Sequence, residues 1–327
     1  VEYRFLGNTG VAVSAVCLGT VNFGWTAPTE QCRAVLDRFH QSGGTFIDTA
    51  DVYTRQGTGV GTAETVLGQW MTDRGVRDEI VVATKVGGRM FAEPTSGGLN
   101  RRHILRAVEA SLRRLDTDRI DLYQAHWADT NTAIEETLSV MGELVTAGKI
   151  RYFGLSNFSP WRLTEAIHLG RSPGHTPVVT YQGRYSLIQR EEFECWYAPL
   201  LNAHRLGFLA YSPLAAGLLT GKYQRGQPLP AQAARRDQLA PLLTEPNFAI
   251  LDAVGEIAEQ HGCAPATVAL AWLLSSTQAV VPVVSANTIE QLDQLLAAAT
   301  LPLDPAQAQR LEEVSQWPKP PRWDSRW

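Results

Sequence analysis

Short apolar runs alternate with longer amphipathic segments along the chain. Eight runs read as strands, near Ala15–Leu18, Thr45–Asp48, Ile80–Thr84, Ile120–Ala125, Ile150–Gly154, Val178–Tyr181, Gly207–Tyr211 and Val280–Val284. They are near-continuous rather than alternating, as parallel strands covered on both faces require. Amphipathic stretches between them, such as Glu30–His40, Ala63–Met71, Arg102–Leu115, Ala133–Val145 and Ala253–His261, predict helices. Pro265–Leu274 opens with a proline and is apolar on most faces, which predicts a buried helix. Eight β–α alternations without a central break in composition predict one (β/α)8 TIM barrel, a single domain over residues 1–327. Tyr3–Leu6 and Val11–Val13 flank Gly7-Asn-Thr-Gly10, the pattern of an N-terminal β-hairpin closing the barrel bottom. Leu214–Asn247, after the seventh strand, is a long non-periodic loop with four prolines. The tail 317–327 reads equally as an aromatic lid or as a disordered end.

Composition narrows the function classes. Length alone admits two domains or one barrel. An apolar fraction of 44% and a charged fraction of 19% fit an ordinary globular enzyme. A net charge of −4, with the signs interspersed, argues against nucleic-acid and membrane-surface partners. The longest apolar stretch, around Val268–Leu274, is too short to span a bilayer. No secretory signal is legible, so a cytoplasmic protein is expected. Cys17, Cys32, Cys195 and Cys263 are far apart and read as buried free thiols. No two of the seven histidines have metal-ligand spacing, so no metal site is expected. Gly57-x-Gly-x-Gly61 lacks the spacing of a dinucleotide fingerprint and reads as a flexible loop before the helix at Ala63.

The candidate chemistry lies at strand ends, the active face of a parallel barrel. The second strand ends in Asp48, with Tyr53 in the following loop. The third runs into Lys85 and the fourth into His126. The chain has four lysines among 29 basic residues, so a lysine directly after an apolar strand is not routine surface charge. A phenol with a pKa of about 10 is a reluctant acid at neutral pH. An ammonium about 4 Å away favours its phenolate by roughly 4 kcal/mol at an effective dielectric of ~20. That bounds the fall in pKa at about three. Asp48 keeps the lysine charged and oriented, and offsets part of this effect. His126 can donate a hydrogen bond to a substrate oxygen. Together the four predict an oxyanion site with a proton donor, suited to a carbonyl that accepts hydride. A hydrolase with paired carboxylates would need a second strand-end acid in reach of Asp48, and none is evident.

Leu18-Gly-Thr20, Phe46-Ile-Asp-Thr-Ala-Asp-Val-Tyr53, Ala83-Thr-Lys85, Asp121-Leu-Tyr-Gln-Ala-His126, Gly154-Leu-Ser-Asn157 and Tyr211-Ser-Pro-Leu214 resemble the aldo-keto reductases, in order and through almost the whole chain. Gly217-Leu-Leu-Thr-Gly-Lys-Tyr223 is similar to the bacterial and potassium-channel-β-like branch. The resemblance implies an NAD(P)H-dependent reductase of aldehydes or ketones, with Asp48, Tyr53, Lys85 and His126 as catalytic tetrad and Tyr53 as general acid. The alternative is a regulatory nicotinamide-binding subunit without turnover, like the channel β subunits. NADPH is the implied cofactor, with NADH as the second choice. Ser156, Asn157 and Gln182 match the family's carboxamide ligands, and Tyr211 the aromatic that stacks on the nicotinamide. Ser212, Pro213, Leu214, Ala215 and Gly217 match the pyrophosphate wrap. Thr20, Lys222, Ser285, Asn287 and Gln291 complete the implied contacts, and Arg235 or Arg236 is placed to clamp the cofactor from the long loop. The sequence departs from the pattern at Gln294 and Leu295, where the branch carries Glu and Asn, and at Ser285 and Asn287, which are neutral where some members carry a cation for the 2′-phosphate.

The mouth loops carry Phe23, Trp25, Met90, Phe91 and Trp127, with Arg89 and Arg184 in matching positions after strands three and six. Trp25, Phe91 and Trp127 are the expected pocket walls for a sugar or an aromatic carbonyl. The arginines leave an anionic substrate open. The oligomeric state is not legible.

Overall fold

A computed structural model describes residues 2–54, 58–90, 93, 96–230, 234–276 and 280–317. Its first elements are an antiparallel hairpin, β1 (Tyr3–Phe5) and β2 (Ala12–Ser14). Then come β3 (Cys17–Gly19), α1 (Thr29–Gln41), β4 (Phe46–Asp48), α2 (Thr62–Arg74), β5 (Val81–Val86), α3 (Arg101–Leu115), β6 (Ile120–Ala125) and α4 (Ile134–Thr146). The second half comprises β7 (Ile150–Ser156), α5 (Pro160–Leu169), β8 (Val178–Arg184), α6 (Ala198–His204), β9 (Gly207–Tyr211), α7 (Arg236–Leu239), α8 (Glu245–His261), α9 (Pro265–Leu274), β10 (Val280–Val284), α10 (Ile289–Leu296) and α11 (Pro305–Val314). Strands β3 to β10 pair in parallel and close into an eight-stranded barrel, β10 meeting β3 through Val283↔Cys17 and Val284↔Leu18.

Side chains alternate along each strand, so each strand divides between two cores. Cys17, Phe46, Ala83, Leu122, Leu209 and Val281 fill the barrel interior. Ile47, Val82, Tyr123, Phe153 and Phe208 face the helices. The hairpin seals the N-terminal end: Leu6 and Val13 join the interior cluster, and Arg4 donates to the carbonyls of Val280 and Leu274 at 2.6 and 2.5 Å. Gly7 makes the close approach possible. At φ 58, a Cβ there would lie 2.6 Å from the Val179 oxygen and 2.7 Å from the Gly207 nitrogen. Helix α9 is buried along almost its whole length, packed against α8, α10 and β10, as its lack of a polar face predicts.

Several boundaries differ from expectation. β5 runs through Lys85 to Val86, β7 to Ser156 and β8 to Arg184. Polar residues mark the end of the apolar runs but not of the ladder, because they point into the barrel, where partners await them. The long loop also holds more structure than its prolines suggest. Ala215–Thr220 and Ala240–Leu242 are 3-10 turns, α7 lies between them, and α8 begins at Glu245, well before Ala253. Pro246 sits in the first turn of α8, where a missing N–H costs nothing. The tail beyond residue 317 and Gly57 lie outside the described residues. None of the four cysteines is in a disulfide: Cys17 and Cys32 are buried, whereas Cys195 and Cys263 are only half-buried.

Candidate active site

Strand parity assembles the site. Asp48, Lys85, Gln124 and Gln182 all project into the barrel above the apolar filling. Lys85 is fully buried and Asp48 is 1% exposed. The Lys85 ammonium donates to Asp48 Oδ2 at 2.5 Å, to the Thr49 carbonyl at 2.9 Å and to Tyr53 Oη at 3.0 Å. The other carboxylate oxygen, Oδ1, accepts from Gln182 Nε2 at 2.9 Å and from Gln124 Nε2 at 3.2 Å. Gly154 leaves room for this layer, since a Cβ there would meet Thr180 Oγ1 at 2.2 Å and Gln124 Cγ at 3.2 Å. Every donor of the ammonium is thus engaged. Burial works against its charge, but Asp48 and Tyr53 outweigh burial and raise the pKa above the usual lysine range.

Tyr53 follows a tight turn after β4 and lies 6.0 Å from His126, ring centre to ring centre, at 76°. Lys85 Nζ is 4.9 Å from the Tyr53 ring centre. The sequence led us to expect a net fall in the Tyr53 pKa. The structure reverses that direction: burial raises it by more than the Lys85 charge lowers it, and Asp48 adds to the rise. The phenol therefore holds its proton. His126 is neutral, because burial and then the Lys85 charge push its pKa well below the usual imidazole range. Its ring stacks on Trp127 at 3.7 Å and 7°, and its Nδ1 is buried without a partner among the described residues.

The residues expected to hold a dinucleotide ring the same mouth. Asn157, at φ 56, accepts from Tyr211 Oη at 2.9 Å and donates to the His126 carbonyl at 3.0 Å and to Ser156 Oγ at 3.1 Å. Arg184 lies 5.8 Å from the Tyr211 ring centre. Gln182 spends its amide on Asp48, which leaves its carbonyl oxygen as acceptor. After Tyr211 the backbone turns left-handed at Ser212, Ala215, Ala216 and Gly217, an uncommon run for non-glycine residues and typical of strained ligand-binding loops. Pro213 and Leu214 lie within that turn, and Lys222 Nζ is 3.6 Å from where a Gly217 Cβ would stand. Thr20 is fully buried and donates to the Asp48 carbonyl at 3.2 Å. Ser285 donates to the Gly19 carbonyl at 3.0 Å, and Gln291 accepts from the Asn287 N–H at 2.8 Å. Asn287 also accepts from Asn22 Nδ2 at 2.7 Å, and Asn22 accepts from Arg235 at 3.1 Å. Arg236 instead donates to the carbonyls of Leu229 and Pro230, within its own loop.

A cavity of about 400 Å3 opens over Tyr53, walled by Trp25, Trp127, Val52 and Arg89. Phe91 lies outside the described residues. Phe23 is not a wall: it turns inward and is fully buried in the strand–helix layer. Among the described residues, no group of three or more His, Cys, Asp or Glu converges to hold a metal ion. None of the helices described is long and apolar enough to cross a membrane. Sequence reasoning overlooked Gln124. A polar residue two positions before His126 was the available signal, since i and i+2 share a face.

A family model described as the aldo/keto reductase family matches residues 15–316. The chain is 35% identical over 323 residues to an uncharacterized oxidoreductase, YrpG, of Bacillus subtilis (strain 168), covering 97% of each. It is 33% identical over 305 residues to an L-glyceraldehyde 3-phosphate reductase of Escherichia coli (strain K12), covering 91% of this chain and 87% of that one. It is 31% identical over 335 residues to a probable voltage-gated potassium channel subunit beta of Oryza sativa subsp. japonica, covering 99% of each.

Proposed function

The chain belongs to the aldo/keto reductase family, and on that premise we propose that it reduces an aldehyde or ketone with NADPH, Tyr53 serving as general acid. As a family member it is an oxidoreductase, one of the NAD(P)H-dependent reductases. What supports the role of Tyr53 is the Lys85 ammonium, whose donors go to Asp48, Thr49 and the phenol oxygen. Because Tyr53 Oη accepts from Lys85, its own O–H remains for a substrate oxygen.

A bound reduced nicotinamide supplies the hydride. The carbonyl oxygen over Tyr53 gains negative charge as its carbon is reduced. Tyr53 passes its proton to that oxygen, and the phenolate left behind is held by the lysine 3.0 Å away. Interactions that strengthen as charge develops are those that accelerate a reaction. Neutral His126 donates a second hydrogen bond and fixes the face presented. Asp48, held by three donors of its own, keeps Lys85 charged and immobile.

Ser156, Asn157 and Gln182 would hold the carboxamide, and Tyr211 would stack on the ring. The turn Ser212–Gly217 with Lys222 would take the pyrophosphate, and Thr20, Ser285, Asn287 and Gln291 the remainder. Arg235, linked through Asn22 to Asn287, brings a cation to the residues expected at the 2′-phosphate and supports NADPH over NADH. The indole walls suit a sugar or an aromatic carbonyl. The same reading takes residues 1–327 as one barrel domain in the cytoplasm, with a small carbonyl compound as partner.

The likeness to a channel subunit favours a second reading, a nicotinamide-binding subunit without turnover. Steady-state assays on a panel of aldehydes, ketones and alcohols with both cofactors decide between them. Turnover of an aldehyde with NADPH is expected. Tight cofactor binding without turnover on the whole panel would favour the second reading.

A further inference from the structure

Behind the Tyr53 turn lies a polar cluster that the proton-donating site does not use. It occupies the otherwise apolar layer between strands and helices. Thr84 of β5 and Tyr123 of β6 face it, α2 contributes Glu64, and α3 contributes Arg114 and Ser111. Glu64 is fully buried. Its Oε1 accepts from Thr84 Oγ1 at 2.6 Å, and its Oε2 from Arg114 Nε at 2.7 Å. Arg114 also donates to Ser111 Oγ at 3.2 Å. Gly61, at φ 86, makes room for the guanidinium: a Cβ there would lie 2.7 Å from Arg114 Nε.

The remaining member is Asp51, two residues before Tyr53. It is fully buried, and neither carboxyl oxygen has a hydrogen-bond partner among the described residues. The Tyr123 hydroxyl is in the same condition. An ionised carboxylate without donors is strongly disfavoured in such a layer. The cluster's guanidinium is already spent on Glu64, and two carboxyls facing one cation do not readily share its charge. A neutral acid resolves the conflict, since it leaves no charge to be desolvated. Burial, with the charge of Glu64 added, raises Asp51 well above the usual carboxylate range, against the weaker pull of Arg114, of the Val52 N–H, which lies outside hydrogen-bond geometry, and of Lys85.

The backbone ties this residue to the site. Asp51 N–H donates to the Lys85 carbonyl at 3.4 Å and Tyr53 N–H to the Ala50 carbonyl at 3.3 Å. The Lys85 ammonium holds the same turn from inside the barrel, through the Thr49 carbonyl and Tyr53 Oη. Lys85 thus holds the turn from inside the barrel, and the Asp51 carboxyl is packed, fully buried, behind it.

We propose that Asp51, docked as a neutral carboxylic acid beside the Glu64–Arg114 pair, is a positioning residue that fixes the turn carrying Tyr53. It touches neither substrate nor cofactor, and its role rests on Tyr53 being the proton donor. Removing the buried carboxyl in Asp51→Ala leaves a void behind the turn and should lower kcat for aldehyde reduction by ~10-fold or more, as small misplacements of a reacting group do. The cofactor Kd should stay within ~2-fold, because binding groups on other loops are untouched. Asp51→Asn keeps the shape and the neutral state, and should return kcat to within ~3-fold of wild type. Wild-type kcat in Asp51→Ala overturns the proposal, as does a loss in Asp51→Asn as deep as in Asp51→Ala. An infrared difference spectrum, wild type minus Asp51→Asn at neutral pH, should show the C=O band of a protonated carboxyl. Carboxylate bands in its place would overturn the neutral-acid assignment, and this holds even where Asp51→Ala does not fold. Tyr53→Phe keeps the two readings apart: retained activity there removes the proton donor, while the spectrum still decides the state of Asp51.

Discussion

Lys85 is the residue on which the proposed proton donor depends, through its bonds to Asp48 and Tyr53. Lys85→Met leaves Asp48 buried with two amide donors and no cation, so stability should fall by about 3–5 kcal/mol, measurable by urea unfolding. Turnover should fall as well, and any residual pH–rate profile should shift to a higher pKa, since the lysine is the group that draws the phenol downward. An unchanged profile would remove it from the mechanism. Asp51 gives a prediction of opposite sign. Its folded pKa lies above the unfolded value near ~3.9, so whatever stability it contributes is fully present below that pH and lost as pH rises towards the folded pKa. Asp51→Asn escapes that loss. The variant should melt at a higher temperature than wild type around pH 8, with the gap shrinking to its acid-limit value as pH falls below about 4. A gap that does not vary with pH contradicts a neutral Asp51. Asp48, Lys85 and His126 were legible in the sequence because each breaks an apolar run. Glu64 and Arg114 were not, because an acid in a helix's first turn and a base in its last read as ordinary dipole partners. The direction of the Tyr53 pKa was missed for a related reason. Sequence shows which charge is near, but not how much water is excluded.

Among the elements, the parallel strands and the hairpin were the most legible, because buried strands must be apolar and turns need glycine. Their C-terminal ends were not, since polar residues that bond inside the barrel extend the ladder past the apolar run. The long loop was misjudged for its prolines, two of which, Pro241 and Pro246, open helical turns there instead of preventing them. The hairpin offers a clean comparison. Gly7 and Gly10 both have positive φ, at 58 and 76. A Cβ on Gly7 would collide with the backbone at Val179 and Gly207, whereas one on Gly10 has nothing within 4 Å. Gly10→Ala should cost about 1–2 kcal/mol, the left-handed strain alone. Gly7→Ala should cost about 1–3 kcal/mol more, through overpacking at the barrel seal. Equal losses in urea unfolding would show that the hairpin does not bear on the barrel end.

For the whole molecule, closing eight strands brings residues from β4, β5, β6 and β8 to one carboxylate, although Asp48 and Gln182 are 134 positions apart. The same closure sets the loops proposed to hold the cofactor around a single mouth. With Arg235 tied to the Asn22–Asn287 link, the Kd for NADPH should be lower than for NADH, and equal or tighter NADH binding would contradict that preference. At the centre of the proposed reaction, a protonated Tyr53 held by Lys85 completes carbonyl reduction. It is tested most directly by kcat for Tyr53→Phe on an aldehyde that the wild type reduces, with the NADPH Kd measured on the same preparation. The account predicts a loss of about 100-fold or more in kcat, as expected when a general acid is removed, with cofactor affinity nearly unchanged. Turnover close to wild type would contradict it.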